Sequence, residues 1–331
     1  MNSNWDMIGH GWAVELLRGQ VARGQARHAY LFCGPAGVGR RTLALRLAQM
    51  LNCTGVKNIR NIEGEPCGEC RECKQIEDMR HPDLAIIQAD DEGGVLKVEQ
   101  IRELRRVLAL KPYQSRFRVA MILRFQEATD SAANALLKTL EEAPAHAILI
   151  LTAEQSELLL PTITSRCEVL NLRPLALPSV ESALIKRGKD PESARLIAHL
   201  SGGRPGFAFR MAADEHILTD RLKILNELEQ LLEATRLEKF SFADQLAKDR
   251  GSMRQTLLIW LSYWRDVLLM ASGSELSVTN IDRKDEIERL ALKLKLPGTR
   301  RLVNQLVSAL EQVDRNVNSR LIAEVLLLDW P

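Results

Sequence analysis

The chain has 331 residues, a hydrophobic content of 46% and a formal net charge of +2 at pH 7. This length allows two or three domains, and the hydrophobic content allows each of them a sizeable core. The near-neutral charge excludes a general electrostatic attraction to DNA or to membranes, so contacts with nucleic acid must be local or shared with partners.

The sequence predicts neither export nor membrane insertion. Residues 1–6 contain no basic run and no apolar run, so we expect no signal peptide. The most apolar stretch, residues 255–264, has ten uncharged residues and is too short to span a bilayer. We therefore expect a cytoplasmic protein that makes no contact with a membrane.

Strands alternating with helices are predicted through the first half of the chain. Predicted strands cover residues 31–33, 84–87, 117–123, 148–152 and 168–172, and predicted helices cover residues 12–21, 43–51, 98–108 and 131–142. The third strand is predominantly apolar, as expected for a strand buried inside a parallel sheet. This alternation favours an α/β fold with helices on both faces of the sheet.

The second half is predicted to be helical. A small helical module at residues 179–212 is interrupted at residues 201–206, and longer helices follow at residues 218–237, 242–248, 253–270, 281–294, 299–316 and 319–328. Pro174 and Pro178 mark the end of the α/β part. We therefore expect three domains, which cover residues 1–173, 174–213 and 214–331.

Residues 34–42 follow the first predicted strand and have the glycine spacing of a phosphate-binding loop. Glycines allow backbone N–H groups to approach phosphates closely. A glycine turn in an ordinary βαβ unit is the alternative, but the strand, loop and helix context favours descent from a phosphate-binding loop. We name this segment the phosphate-loop remnant; its candidate binding residues are Gly34, Gly37, Gly39, Arg40, Arg41 and Thr42.

The catalytic side chains of such a loop are missing from the remnant. Arg40 stands where the pattern requires lysine, and Arg41 stands where it requires a hydroxyl group. A guanidinium is a planar fork instead of a point charge, and it cannot ligate Mg²⁺. Thr42 has a hydroxyl group, but one helical step of about 100° directs it elsewhere. We therefore expect a loop that keeps the backbone shape of a phosphate-binding loop but lacks the side chains that act on ATP and Mg²⁺.

Four cysteines follow the loop with the spacing C-x13-C-x2-C-x2-C. Gaps of two residues allow neighbouring thiolates to converge on one tetrahedral ion, and Gly68 permits the turn between them. We therefore expect a structural zinc ion; free surface cysteines are the alternative. Cys33 and Cys167 are expected to be inert core thiols. The predicted zinc ligands, which we name the four-cysteine module, are Cys53, Cys67, Cys70 and Cys73.

Several segments together resemble a known family. They are residues 28–32 with the phosphate-loop remnant, the four-cysteine module, residues 131–142 and the triplet Ser165-Arg166-Cys167. In this order they resemble the bacterial DNA polymerase III clamp-loader subunits of the AAA+ family, and the delta-prime type among them. The resemblance is strong over the first half of the chain, whereas the second half offers weaker motifs.

The resemblance implies an AAA+ core at residues 1–173 with the zinc module inserted at 53–73, a helical lid at 174–213 and an oligomerising collar at 214–331. In ATP-hydrolysing relatives the third strand ends in Asp-Glu, which supplies a Mg²⁺ ligand and a base. Here Leu123 and Arg124 occupy those positions. The sensor arginine of the lid is also displaced, because Pro205 takes its place and Arg204 is adjacent. We therefore expect no bound ATP and no intrinsic ATPase activity.

One arginine of the family pattern is retained. The resemblance implies that Arg166 acts in trans, as an arginine finger that reaches the nucleotide of a neighbouring subunit. The alternative is a structural arginine that caps a strand or pairs locally with Glu168.

The resemblance thus implies a non-hydrolysing subunit of a hetero-pentameric clamp loader. Its partners would be the tau/gamma motor and delta subunits, and the complex would load the sliding clamp on primed DNA. Any nucleotidyltransferase activity would belong to the polymerase complex. One alternative is an active ATPase of the same fold in which Arg40 replaces the lysine. A second alternative is a stand-alone zinc-dependent DNA-binding protein, which the near-neutral charge does not favour.

Overall fold

The computed structural model describes residues 5–55, 65–90, 94–274 and 277–330. The chain divides into two compact units, Met1–Val180 with Gly203–Phe207, and Glu181–Gly202 with Ala208–Pro331. The first unit is built around a β-sheet, whereas the regular elements described in the second are helical. No described helix is long and apolar enough to cross a membrane. The three domains predicted from the sequence are not tested by this division into two units, and they stay a prediction.

The first unit contains one parallel sheet in the order β2-β3-β4-β1-β5. The three inner strands, β1, β3 and β4, are buried along their whole length because each has a strand on both sides. The predicted parallel α/β sheet is therefore confirmed. The strands are β1 (Ala29–Cys33), β2 (Leu84–Ile87), β3 (Arg118–Ile122), β4 (Ala147–Ala153) and β5 (Glu168–Asn171).

Helices cover both faces of this sheet. Side chains of β1 alternate between the two faces, so Tyr30 and Phe32 pack with α1 and α2, whereas Leu31 and Cys33 pack with α4, α5 and α6. Two apolar layers therefore fix the sheet and the loops at its edges. The helices of this region are α1 (Gly11–Ala22), α2 (Arg40–Asn52), α3 (Arg71–Glu77), α4 (Val98–Ala109), α5 (Asp130–Glu141) and α6 (Pro161–Thr164).

The remaining elements are helical. They are α7 (Leu177–Lys186), α8 (Pro191–Ser201), α9 (Pro205–Ala213), α10 (Glu215–Glu233), α11 (Arg236–Leu246), α12 (Arg250–Ala271), α13 (Lys284–Asp314) and α14 (Ser319–Leu328). Helices α10 to α14 share one apolar core. At its centre the rings of Trp260 and Trp264 both contact the ring of Trp330, with centroids 4.9 and 6.1 Å apart. Such aromatic packing supplies much of the buried area of a helical domain.

One predicted helix boundary in this region is wrong, and one predicted helix break is confirmed. The helix predicted at residues 218–237 ends at Glu233, and α11 begins beside Thr235. Thr235 and Glu238 form a capping box, in which the Glu238 carboxylate accepts from the Thr235 N–H at 2.7 Å. The break predicted between residues 294 and 299 is confirmed, because α13 consists of two helical stretches separated by a kink at Lys295, where φ is 55° and ψ is 176°. Pro297 lies two residues beyond this kink and explains it.

Candidate functional site

The phosphate-loop remnant connects β1 to the N-terminus of α2, as the sequence predicted. Gly34, Gly37 and Gly39 have φ values of 143°, 80° and 115°, which residues with a side chain rarely adopt. At Gly34 a Cβ atom would also lie 2.3 Å from the carbonyl oxygen of Leu172. The three glycines therefore preserve the backbone shape of the loop.

A second segment of the same unit packs on the outer side of the loop. The N–H of Gly206, in the first turn of α9, donates to the carbonyl oxygen of Gly37 at 2.8 Å. A Cβ atom on Gly37 would lie 3.0 Å from the backbone nitrogen of Phe207. The guanidinium of Arg204 lies 5.0 Å from the centroid of the Phe207 ring. The segment with the displaced sensor position therefore contacts the loop through its backbone.

Arg40 occupies the lysine position of the loop and is only 9% exposed. Its Nη1 atom is buried and has no hydrogen-bond partner among the residues that the structure describes. Burial lowers the pKa of Arg40, and the nearby Glu154 carboxylate partly opposes that effect. An unpaired buried donor costs about 1–3 kcal/mol. The loop therefore offers a donor that a bound anion could satisfy, but no compact ammonium group.

Arg41 and Thr42 are exposed at the start of α2. The guanidinium of Arg41 lies against the sulfur of Met79, which follows α3. Arg41 is therefore directed towards the region of the cysteines, and its side chain supplies neither a hydroxyl group nor a metal ligand.

The carboxyl end of β3 lacks the acidic pair of an ATPase. Leu123 is buried, and Arg124 has a left-handed backbone with φ 52°. The Arg124 Nε donates to both carboxylate oxygens of Glu127 at 2.9 Å, and its Nη2 donates to the carbonyl oxygen of Ala89 at 3.3 Å. Glu127 is thereby engaged in an ion pair. This strand end therefore presents neither of the two carboxylates that phosphoryl transfer requires there.

The four-cysteine module converges as the spacing predicted, and its sulfur atoms all lie within 4.8 Å of one another. Cys53 follows the last residue of α2, Cys70 is the N-cap of α3, and Cys73 lies within α3. The Cys53–Cys70 and Cys67–Cys73 sulfur pairs are each 3.9 Å apart. Zinc–sulfur bonds of about 2.3 Å in a tetrahedron place sulfur atoms about 3.8 Å apart, so the spacing fits one metal ion.

Backbone donors also favour thiolates in this module. The N–H groups of Cys67 and Cys70 each donate at 3.3 Å, to the sulfur atoms of Cys53 and Cys67 respectively. The neighbouring Cys73 thiol lowers the pKa of Cys53 to about 5, and the same contact raises the pKa of Cys73. Gly68 has φ 73°, which the turn between the cysteines requires. The four sulfur atoms can therefore bind a metal ion.

Arg166 lies just beyond α6 and is partly exposed, with 35% of its side-chain surface accessible. Its Nη2 donates to the Glu141 carboxylate at 2.6 Å, and its Nη1 donates to the carbonyl oxygen of Thr162 at 2.8 Å. The alternative pairing with Glu168 is wrong. That carboxylate instead accepts two hydrogen bonds from Gln20 and pairs with Arg27 at 3.5 Å, so it is engaged elsewhere.

Three residues that shape these sites were not identified from the sequence. Glu127 lies three residues after Arg124 inside a short 3-10 helix, and this spacing could have indicated the ion pair. Gly206 lies in the segment of the displaced sensor position, but the sequence predicted no contact between Gly206 and the phosphate-loop remnant. Glu141 precedes Arg166 by 25 residues, and no local periodicity relates two positions so far apart.

Comparisons with known proteins agree with this architecture. The family described as DNA polymerase III, delta subunit, matches residues 9–176, and its C-terminal family matches residues 215–331. The DNA polymerase III subunit delta' of Bacillus subtilis is 31% identical over 95% of this chain and 94% of its own length. The chain belongs to the DNA polymerase III delta-prime subunit family. The Pseudomonas aeruginosa delta' subunit is 28% identical over 96% of both chains.

The family is related to other subunits of the same polymerase. The DNA polymerase III subunit tau of Escherichia coli is 36% identical over 54% of this chain, although the match spans only 27% of tau. The family match, the parallel sheet and the helical second unit together confirm the predicted α/β core with helices on both faces and the helical C-terminal part.

Proposed function

We propose that this chain is the non-hydrolysing delta-prime subunit of a clamp loader. In this proposal it assembles with tau/gamma motor subunits and a delta subunit in the cytoplasm, and the complex loads a sliding clamp on primed DNA. The observation that carries the proposal is the end of β3, where Leu123 is buried and Arg124 is paired with Glu127. A subunit without these carboxylates contributes to the complex by means other than its own hydrolysis.

The catalytic contribution that we propose is made in trans by Arg166. Its guanidinium is partly exposed and would stabilise the charge that develops on the γ-phosphate bound by a neighbour. Residues 1–173, 174–213 and 214–331 would then serve as core, lid and collar. The match of the C-terminal family to residues 215–331 supports a separate role for the last of these.

The metal in the four-cysteine module is proposed to be a structural zinc ion. Four thiolates complete a tetrahedral shell, and this leaves no position for a reacting water molecule. The chemistry that zinc supplies here is cross-linking of the end of α2 to the start of α3. Cys53 and Cys70 would hold it from these two helix ends.

Reconstitution tests the proposed function. The loader is assembled from motor and delta subunits with and without this chain, and clamp loading on primed DNA is measured. We expect loading to require the chain, and an extra motor subunit in its place is the matched control. Full loading without the chain would contradict the proposal.

Two assays on the purified chain alone distinguish the alternative functions. ATP hydrolysis by the purified chain alone would favour the active ATPase, in which Arg40 replaces lysine. Salt-sensitive DNA binding by the chain alone would favour the stand-alone DNA-binding protein.

A further inference from the structure

The guanidinium of Arg166 is held from two sides. Glu141 accepts from Nη2 at 2.6 Å, and on the other side Nη1 donates to the carbonyl oxygen of Thr162 at 2.8 Å and to the hydroxyl oxygen of Ser165 at 3.4 Å. Arginine has five N–H donors in one plane. The Nε–H and one Nη2–H therefore have no partner among the described residues, and two such donors can contact a phosphate.

The groups that hold Arg166 are mounted on packed elements. Glu141 is the last residue of α5, and Thr162 lies in α6. Leu136 and Leu140 of α5 share an apolar cluster with Ile163 of α6, and none of the three is more than 1% exposed. The ion pair is itself exposed, since 49% of the Glu141 side chain is accessible. A pair this exposed contributes little to folding stability. What the ion pair with Glu141 does is hold the Arg166 guanidinium in one orientation.

We propose that Glu141 is a positioning residue for Arg166. It fixes the plane of the guanidinium so that the two remaining donors face outward, where the γ-phosphate of a neighbouring subunit would bind. This inference rests on the proposed role of Arg166 in trans. Side chains that orient a catalytic group improve catalysis because the correct geometry exists before the reaction begins.

The test uses the fully assembled loader with clamp and primed DNA. Its variants are Glu141→Ala, Arg166→Ala and the double variant, with Glu142→Ala as the matched control. The Glu142 carboxylate is exposed and makes no hydrogen bond or ion pair with any residue that the structure describes. Stimulated ATP hydrolysis is measured as kcat and KM, and assembly is checked by gel filtration.

We expect Glu141→Ala to lower kcat about 2- to 5-fold with KM unchanged, in line with the energy of one exposed ion pair. Glu141→Gln keeps an acceptor oxygen and should retain an intermediate rate. Glu142→Ala should have no effect. In the Arg166→Ala background, Glu141→Ala should cause no further loss, because a residue that acts through another has nothing left to position.

Three outcomes would overturn the inference. An unchanged kcat would mean that Glu141 does not position Arg166, and an increased kcat would mean that the ion pair restrains it. An equal loss with and without Arg166 would assign Glu141 a structural role. If Arg166→Ala itself leaves the rate unchanged, the role in trans fails together with the inference, and this result is distinct from the other three.

Discussion

Two arginines of the sheet unit differ in what their surroundings leave available. Arg124, at the end of β3, is held by the Glu127 carboxylate and the Ala89 carbonyl oxygen within the molecule. Arg166 lies beyond α6, and its Nε–H and one Nη2–H have no partner among the described residues. The difference teaches that the end of β3 uses its arginine for contacts inside the molecule, whereas the arginine beyond α6 keeps two donors available at the surface.

Among the residues that the structure describes, Arg166 shares no hydrogen bond or ion pair with the phosphate-loop remnant. The polar contacts of Arg166 are to Glu141, Thr162 and Ser165, and none is to the phosphate-loop remnant. Because distant sites without shared partners contribute independently, changes on one side should leave the other unaffected.

The largest effect is expected at the four-cysteine module, which adjoins the loop through α2. Zinc–thiolate sites bind with about 10–16 kcal/mol, so Cys70→Ser should reduce metal content from about one equivalent per chain to almost none. Helix α3 should then no longer be held at the end of α2 by the metal, while the core of the sheet stays folded. Metal analysis and circular dichroism of the purified variant provide the measurement.

The matched control for the metal site is Cys33→Ala. Cys33 is buried in β1 outside the module, and burial raises the pKa of its thiol to about 11. This variant should keep its full metal content. Full zinc retention by Cys70→Ser would show that the ligand set is wrong.

The second-largest effect is expected on the rate of ATP hydrolysis when Arg166 is changed in the assembled loader. An arginine in trans contributes about 10³- to 10⁵-fold to the rate at one site, but other subunits keep their own sites, so the loss for the whole complex should be smaller. Arg166→Ala should reduce clamp-stimulated ATP hydrolysis without affecting assembly. Arg166→Lys should restore little, because an ammonium group lacks the forked geometry.

Arg41→Ala is the control on the loop side. The Arg41 side chain is exposed and lies against Met79, so its loss should not change the rate. A loader with Arg166→Ala that hydrolyses ATP and loads clamps normally would reduce Arg166 to a structural residue.

These comparisons also show what the sequence could predict. The parallel sheet was predictable because buried strands leave apolar runs, and the four cysteines were predictable because their spacing is local. The end of α10 was missed although the Thr235 and Glu238 capping box was present in the sequence. The pairing of Glu141 with Arg166 was not predictable, because it depends on how α5 and α6 pack. Tertiary packing decides such contacts, and local patterns do not encode them.

A smaller effect is expected from phosphate at Arg40. The unpaired Nη1 lies in the loop that begins α2, where free N–H groups also favour an anion. Inorganic phosphate at ten times its dissociation constant should add about 1.4 kcal/mol to stability, seen as a higher unfolding temperature. Arg40→Met should abolish this response and leave the protein at least as stable without phosphate, since it removes a buried donor that has no hydrogen-bond partner among the described residues.

Arg41→Met is the control for phosphate, because that side chain is exposed and directed away from the loop. It should respond to phosphate like the unchanged protein. A full phosphate response in Arg40→Met would place the anion elsewhere.

The smallest effect is expected from Mg²⁺, which should not change nucleotide binding by the purified chain. A Mg²⁺ ion at an active phosphate loop needs a hydroxyl group from the loop and a carboxylate from the third strand. Here those positions hold Arg41 and the buried Leu123, and the Glu127 carboxylate is already paired with Arg124. Equilibrium dialysis with labelled ATP should detect no appreciable binding, either with Mg²⁺ or with EDTA. Micromolar ATP binding that requires Mg²⁺ would show that the loop is a nucleotide site. The contrast between an inactive loop and an accessible Arg166 would then be wrong.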